Sequence, residues 1–178
     1  MPNWCHNNLT VSHSDPLMVQ KFVKACESNG LFGAFLPTPV ELTEMSSPVS
    51  DPNISAENIK KYGSSDWYDW NVNNWGTKWD VDNPGHEVFG ETVTTSFDTA
   101  WWPPIEFYEH LKELGYTVRA TYFEYDFAGV WTDEDGDESV EYDFSDENWH
   151  EGLSEDLVSM LMPEYENWLM WQEEENKE

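Results

Sequence analysis

Basic residues are nearly absent from this chain. Its 178 residues carry 8 lysines and arginines against 36 aspartates and glutamates, a net charge of −28, and Arg119 is its one arginine. A nucleic-acid surface needs clustered cations to displace counterions from phosphate, and the same shortage repels anionic lipid. The expectation is no direct binding to DNA or RNA and no association with membranes. Cysteine is scarce as well. Cys5 and Cys26 make no disulfide framework and fit two small buried hydrophobes in a reduced, cytoplasmic protein. Long apolar runs are missing: Met1-Pro2-Asn3-Trp4 is polar, so neither a leader segment nor a membrane span is expected.

The chemistry-bearing patterns are missing too. There is no glycine-rich phosphate loop and no serine or cysteine set in a nucleophile elbow. The histidines His6, His13, His86, His110 and His150 are scattered, and Cys5-His6 has no second ligand pair at a useful spacing. Asp133-Glu134-Asp135-Gly136-Asp137-Glu138 invites a calcium reading, but a calcium loop needs glycine at its sixth position and a glutamate at its twelfth. Counting from Asp133, those positions hold Glu138 and Phe144. The sequence implies no catalytic residue, no metal and no cofactor, and the expectation is a protein that is not an enzyme.

What is abundant is aromatic and acidic. Aromatics make up 16% of the residues, with 11 tryptophans, a composition that folds. The clearest stretch runs from His86 to Gly115. Val93, Thr95, Phe97, Thr99 and Trp101 alternate with polar residues at the period of a half-buried strand. Pro103-Pro104 stops the ladder and suits a helix start. Phe107, Leu111 and Leu114 then fall at helical spacing, closed by Gly115.

Elsewhere, Trp4–Ser12 alternates as a strand, with Cys5, Asn7, Leu9 and Val11 on one face. Asp15-Pro16 opens a helix that Asn29-Gly30 is expected to close. The apolar stretch Leu31–Met45 is expected to run extended, and Ser55 to cap a helix through Lys61, with Ile54 and Ile59 as a hydrophobic staple. Trp67, Trp70 and Asn74 mark another short helix. Trp75–Val81 reads as a strand with Trp75, Thr77, Trp79 and Val81 on one face. A strand from Tyr116 to Phe127 and a hairpin about Asp133–Asp137 follow. Ser154 opens a helix that Pro163 breaks or restarts.

The order strand, helix, insertion, strand, strand, helix, strand predicts an α+β fold: a ferredoxin-like βαββαβ antiparallel sheet with two helices on one face. Its domain spans 1–144, with an inserted helical segment at about 46–74. An acidic helical extension, 145–178, packs on it.

Four stretches in order carry a resemblance. They are Pro2-Asn3-Trp4-Cys5 with Asn7, Asn74–Asp80 (NWGTKWD), Phe97–Trp101 (FDTAW) with Pro103-Pro104, and Tyr122–Trp131 (YFEYDFAGVW). Over roughly the first 130 residues the chain resembles the YubB-like family of ferredoxin-fold proteins carried by conjugative plasmids and phages. The resemblance implies the fold and a mobile-element origin, and no biochemical activity. Trp102 and the long acidic tail depart from the motif.

Two surfaces are candidates. From Glu124 onward there are 20 acidic residues and a single basic one, Lys177. Asp133, Glu134, Asp135, Asp137, Glu138, Glu141 and Asp143 form an acidic array, with Trp131 and Trp149, and further on Trp168 and Trp171, as anchors. Such an array imitates nucleic acid. The expected partner is a basic, nucleic-acid-binding host defence protein that this protein inhibits. The alternatives are a small-ligand pocket of Trp75, Lys78, Trp79, Asp98 and Trp101, or a merely solvating acidic surface. Strand alternation already accounts for those tryptophans as core, with Lys78 and Asp80 on a solvated face.

Overall fold

The computed structural model describes residues 3–175. Pro2 of the first resemblance stretch, and residues 176–178 of the acidic extension with Lys177, lie outside them. Strand β1 (Trp4–Ser12) is central. It pairs antiparallel with β3 (Thr92–Ala100), Trp4 opposite Ala100 through Ser12 opposite Thr92, and with β4 (Thr117–Phe123), His6 opposite Phe123. With β2 (His86–Phe89), β5 (Phe127–Thr132) and β6 (Gly136–Glu141) the sheet has six strands in the order β2-β3-β1-β4-β5-β6, every pairing antiparallel. The fold is α+β.

Alternation places Cys5, Asn7, Leu9 and Val11 inside, as the pattern predicts. Asn7 is polar there and fully engaged. Its Nδ2 donates to Cys5 O (2.8 Å) and Thr99 Oγ1 (2.9 Å), and its Oδ1 accepts from the Tyr108 hydroxyl (3.0 Å), so burial leaves no orphan group. Helix α1 (Pro16–Cys26) starts where Asp15 accepts from Leu17 N, and ends at Glu27, before Gly30. Helix α2 (Val40–Thr43) is a single turn.

Between these two helices the chain is not extended, contrary to the sequence expectation. Leu31, Phe32 and Leu42 are fully buried, and the backbone coils because the Asp80 carboxylate gathers it. Oδ1 accepts from Phe32 N, Oδ2 from Gly33 N, and Oδ1 again from Val81 N, each at 2.7 Å. A Cβ at Gly30 or Gly33 would lie 2.8 or 2.9 Å from that Oδ2. Burial raises the Asp80 pKa, against the lowering pull of the three N–H groups. Asp80 is therefore a structural clasp and not part of a solvated face.

Helix α3 (Pro52–Tyr62) is capped by Asp51, not Ser55, with Pro52 in the first turn; Ile54 and Ile59 are exposed and form no staple. Helix α4 (Trp67–Trp75) is capped by Asp66 and closed by Gly76 at φ +86°. The expected strand at Trp75–Val81 does not form. Trp75 is the last residue of α4, in helical phase with Trp67 and Trp70, and Gly76 turns the chain away. The strand beside β3 is β2, joined to it through the tight turn at Gly90-Glu91.

Helix α5 (Ile105–Glu113) packs Phe107, Tyr108 and Leu111 into the same core as Phe22 of α1 and Trp70 and Trp75 of α4. The expected strand from Tyr116 to Phe127 is interrupted: Glu124 N donates to Phe127 O (2.8 Å), making a turn between β4 and β5. On the opposite face, α6 (Glu155–Glu175) covers β4 and β5 through a second cluster that includes Ala128, Trp149, Leu157 and Leu161, with Phe123 and Phe144 against it. Pro163 lies within α6 without breaking it. Among the described residues no helix is long and apolar enough to cross a membrane.

Candidate functional site

Three strands bring their ends to one margin of the sheet: the start of β1 and the ends of β3 and β4. The loop leaving α4 joins them there. Trp101 takes φ +66°, a left-handed backbone that costs a bulky residue about 1–3 kcal/mol. Its N–H donates to Asn3 O (3.0 Å), and its indole stacks on Trp79 at 6.4 Å and 23°. Trp4 lies 6.2 Å from Trp79. The Lys78 ammonium sits 4.5 Å from the Trp79 ring, 5.6 Å from Trp101 and 5.5 Å from Tyr68, held by cation–π attraction. Trp4, Trp79 and Trp101 are 46%, 41% and 38% exposed, an aromatic belt in place of the alternating core face that the sequence predicts for Trp79 and Trp101.

Two grooves flank the end of β4. On the α6 side a groove of about 710 Å³ runs between the sheet and the last helix. The His6 and Phe123 rings, 4.8 Å apart, form one wall. Tyr142, Phe144 and Trp168 form the other, Phe144 lying 4.8 Å from Tyr142 and 6.4 Å from Trp168. Its carboxylates are Glu124 and Glu164, and no lysine or arginine lines it. The Tyr142 hydroxyl donates to Glu124 O (2.6 Å). Burial, reinforced by the neighbouring carboxylates, raises its pKa far above the ordinary phenol value, so it remains neutral. On the α5 side a groove of about 690 Å³ is lined by Trp102 and Phe127, with Glu106, Asp126, Asp137 and Glu141. The Trp102 and Phe127 rings are 5.3 Å apart. Both grooves pair aromatic walls with carboxylates, the chemistry that receives a cation.

No protein-family model matches this chain, and no curated protein matches it. Among solved structures it is similar to the crystal structure of protein api92 from Yersinia pseudotuberculosis, of the family DUF1281. The identity is 10%, covering 80% of this chain and 99% of that one, with a TM-score of 0.43.

Of the expected pocket residues, Lys78, Trp79 and Trp101 come together as one cluster. Trp75 does not join them: it is buried, and its Nε1 donates to Leu36 O (2.9 Å). Asp98 lies beside them, its Oδ1 2.5 Å from His6 Nδ1. Lys78 lies over both indoles, so the belt already holds a cation of its own.

The expected partner-binding array divides into two kinds of residue. Asp133 Oδ1 accepts from Val118 N (2.9 Å), Asp137 Oδ1 from the Tyr122 hydroxyl (2.5 Å) and Asp143 Oδ1 from Ser145 N (2.8 Å). Asp135 bonds within its own turn, to Thr132. These four secure the hairpin and the turn after it. Glu134, Glu138 and Glu141 are exposed, and among the described residues none of them makes an ion pair. Trp131 and Trp149 are not anchors: they are 2% and 6% exposed. Trp131 packs on Tyr108 (5.8 Å) in the main core, and Trp149 on Tyr165 (5.2 Å) in the second cluster. Both lie among acids in the sequence, yet their own side chains point inward.

Sequence reasoning missed Glu124 and the rings of Tyr142 and Phe144. The available signal was the polar residue Glu124 at the point where the alternation of β4 fails. Neither cysteine offers a nucleophile. Burial pushes Cys5 up to about 12 and Cys26 up to about 11, leaving both as thiols at neutral pH.

Proposed function

We propose that the protein binds a basic partner protein and competes with nucleic acid for it. The observation that carries this reading is how little of the acidic excess is neutralised internally. Four ion pairs form among the described residues, two of them through histidine, against the chain's 36 acidic residues, all of which but Glu178 fall within residues 3–175. The remaining carboxylates form a negative field that steers a basic surface inward and repels phosphate. The exposed rings Trp4, Trp79, Trp101 and Trp102 supply area for contact once the partner arrives.

A nucleic-acid-binding protein of a host defence system is the partner whose surface suits this field. Its lysines and arginines, built to meet phosphates, would meet Glu134, Glu138 and Glu141 instead, and the complex would be inhibited. The ferredoxin-like character of the core, and kinship with YubB-like proteins of plasmids and phages, belong to the same proposal. The order β2-β3-β1-β4, with α1 after β1 and α5 after β3, supports the first of these.

The test is capture of partners from host lysate on the tagged full chain, followed by competition with DNA or RNA. The expected partner elutes with salt, associates more slowly as salt rises, and is released by nucleic acid. A partner without a basic surface, or one that holds nucleic acid and this protein together, refutes the reading.

A further inference from the structure

The carboxylate of Glu124 lines the α6 groove without a hydrogen-bond donor among the described residues. Glu124 is 6% exposed, and its backbone is fully used, the N–H by Phe127 O and the carbonyl by the Tyr142 hydroxyl. Its carboxylate has no such partner: among the described residues no side chain or backbone N–H donates to it. The residue is covered, yet its carboxylate meets the groove: among the described residues only Tyr62 Oη is buried without a partner, so a cation entering there finds this carboxylate with no competing donor. Asp80, by comparison, has three backbone donors. Glu124 instead lines the floor of the α6 groove, with Glu164 on the helix above and aromatic rings on both sides.

A donor-free carboxylate between aromatic walls, with no lysine or arginine in the lining, suits a cation, and the lining selects among cations. Ammonium is compact and strongly hydrated, and loses more on leaving water. Guanidinium is flat and weakly hydrated, stacks on rings and forks onto a carboxylate with two parallel N–H bonds. The walls here are aromatic: Phe123 beside His6 on the sheet, Phe144 and Trp168 opposite. The neutral Tyr142 adds no competing charge. We infer that the groove is the seat for one arginine side chain of a basic partner, with its guanidinium on the Glu124 carboxylate between these walls and Glu164 adding attraction from the side. This assignment rests on the reading of the protein as a binder of basic proteins, and it names the residue type that such a partner inserts.

The test uses the full chain with ¹⁵N-labelled indoles and three small probes. They are N-acetyl-arginine methylamide, the lysine counterpart, and the citrulline counterpart, which keeps the shape and lacks the charge. The Nε1–H signals of Trp4, Trp168 and Trp171 report on the groove; those of buried Trp75 and Trp131 are internal controls. The arginine probe is expected to shift the groove signals saturably, with the lysine probe about tenfold weaker and citrulline without effect. Glu124→Gln is expected to weaken the arginine probe by about tenfold or more without lowering Tm. Should that variant fail to fold, Trp168→Ala, which removes one wall, is expected to weaken binding comparably. Equal shifts from all three probes, shifts shared by the control indoles, or full affinity in a folded Glu124→Gln overturn the assignment. An arginine–glycine peptide separates the two possible failures. If it binds without moving the groove indoles, the seat falls and the basic-partner reading stands. If the probes, the peptide and captured basic proteins all fail to bind, both fall.

Discussion

Replacing Asp80 by alanine tests whether one carboxylate organises the segment from Gly30 to Leu42. The substitution removes three N–H···O bonds of 2.7 Å, from Phe32, Gly33 and Val81. All three donors are partly buried, so water reaches them incompletely. Each lost charge-assisted bond costs roughly 1–2 kcal/mol under those conditions. The carboxylate's own burial penalty, visible in its raised pKa, is recovered and offsets part of the sum. The expected loss is about 3 kcal/mol, or about 6–12 °C in Tm for a chain of this size. Asp80→Asn keeps one acceptor for Phe32 and Val81 but turns an amide toward Gly33 N, and should lose about 2 kcal/mol. The assay is urea unfolding, read as a shift of midpoint at unchanged slope. Asp82→Asn, exposed and two residues away, is the control and should stay within about 0.5 kcal/mol. If Asp80→Ala costs no more than Asp82→Asn, the carboxylate is not the clasp and the coil at 31–36 has another cause.

Gly129→Ala should lose about 3 kcal/mol, because a Cβ there would collide with the Tyr122 hydroxyl oxygen, which bonds to Asp137. Gly85→Ala, with open space around it, should be nearly neutral, and equal Tm losses for the two would contradict the packing of Tyr122 across β5. Cys5 and Cys26 should resist a disulfide reagent at pH 8, where at most roughly one thiol in a thousand is ionised, and both should react after unfolding; fast labelling of the native chain would refute their burial. Their native values of about 12 and 11 lie above the ordinary 9.0. The stability they contribute is therefore complete below pH 9 and lost as pH rises through those values, which a urea midpoint falling steadily above pH 9 would record. Changing Glu134, Glu138 and Glu141 together to glutamine should leave Tm level or raised and slow association with a basic partner. Asp137→Asn should lower Tm by itself, since it perturbs the Tyr122 hydroxyl bond. A triple variant that unfolds would mean that these glutamates hold the hairpin.

The elements legible in the sequence were those in which side-chain period and terminator agree. In β1 and β3 the alternation survives because each strand has a core on one face, and α5 follows a double proline and ends before a glycine. The segment at 75–81 was misread because two periods overlap there. Trp75 completes the helical set with Trp67 and Trp70, while Thr77 and Trp79 happen to continue an every-second-residue pattern. Gly76 was the punctuation that should have decided it. Asp51-Pro52 repeats the Asp15-Pro16 signal, yet Ser55, inside the helix, drew the cap assignment. At the candidate site the carboxylates of the hairpin were legible, whereas their division into bonded aspartates and unbonded glutamates depends on Val118, Tyr122 and Ser145, partners set by tertiary pairing. Trp131 and Trp149 were misplaced for the same reason: acidic neighbours along the chain say nothing about the direction of an indole in a sheet or beneath a helix.

An open sheet leaves two rows of unpaired backbone groups, here on β2 and β6, and such rows invite other copies to add strands. Strand β2 is only four residues long. Strand β6 is longer and carries Asp137, Glu138 and Glu141, so an approaching copy brings carboxylates against carboxylates. That guard is electrical and has an acid limit. Near the isoelectric point of about 4.1 the repulsion fades while the backbone template remains. Mildly acidic buffers should therefore bring turbidity and strand-to-strand association before they bring unfolding, and salt should hasten the onset by screening what charge is left.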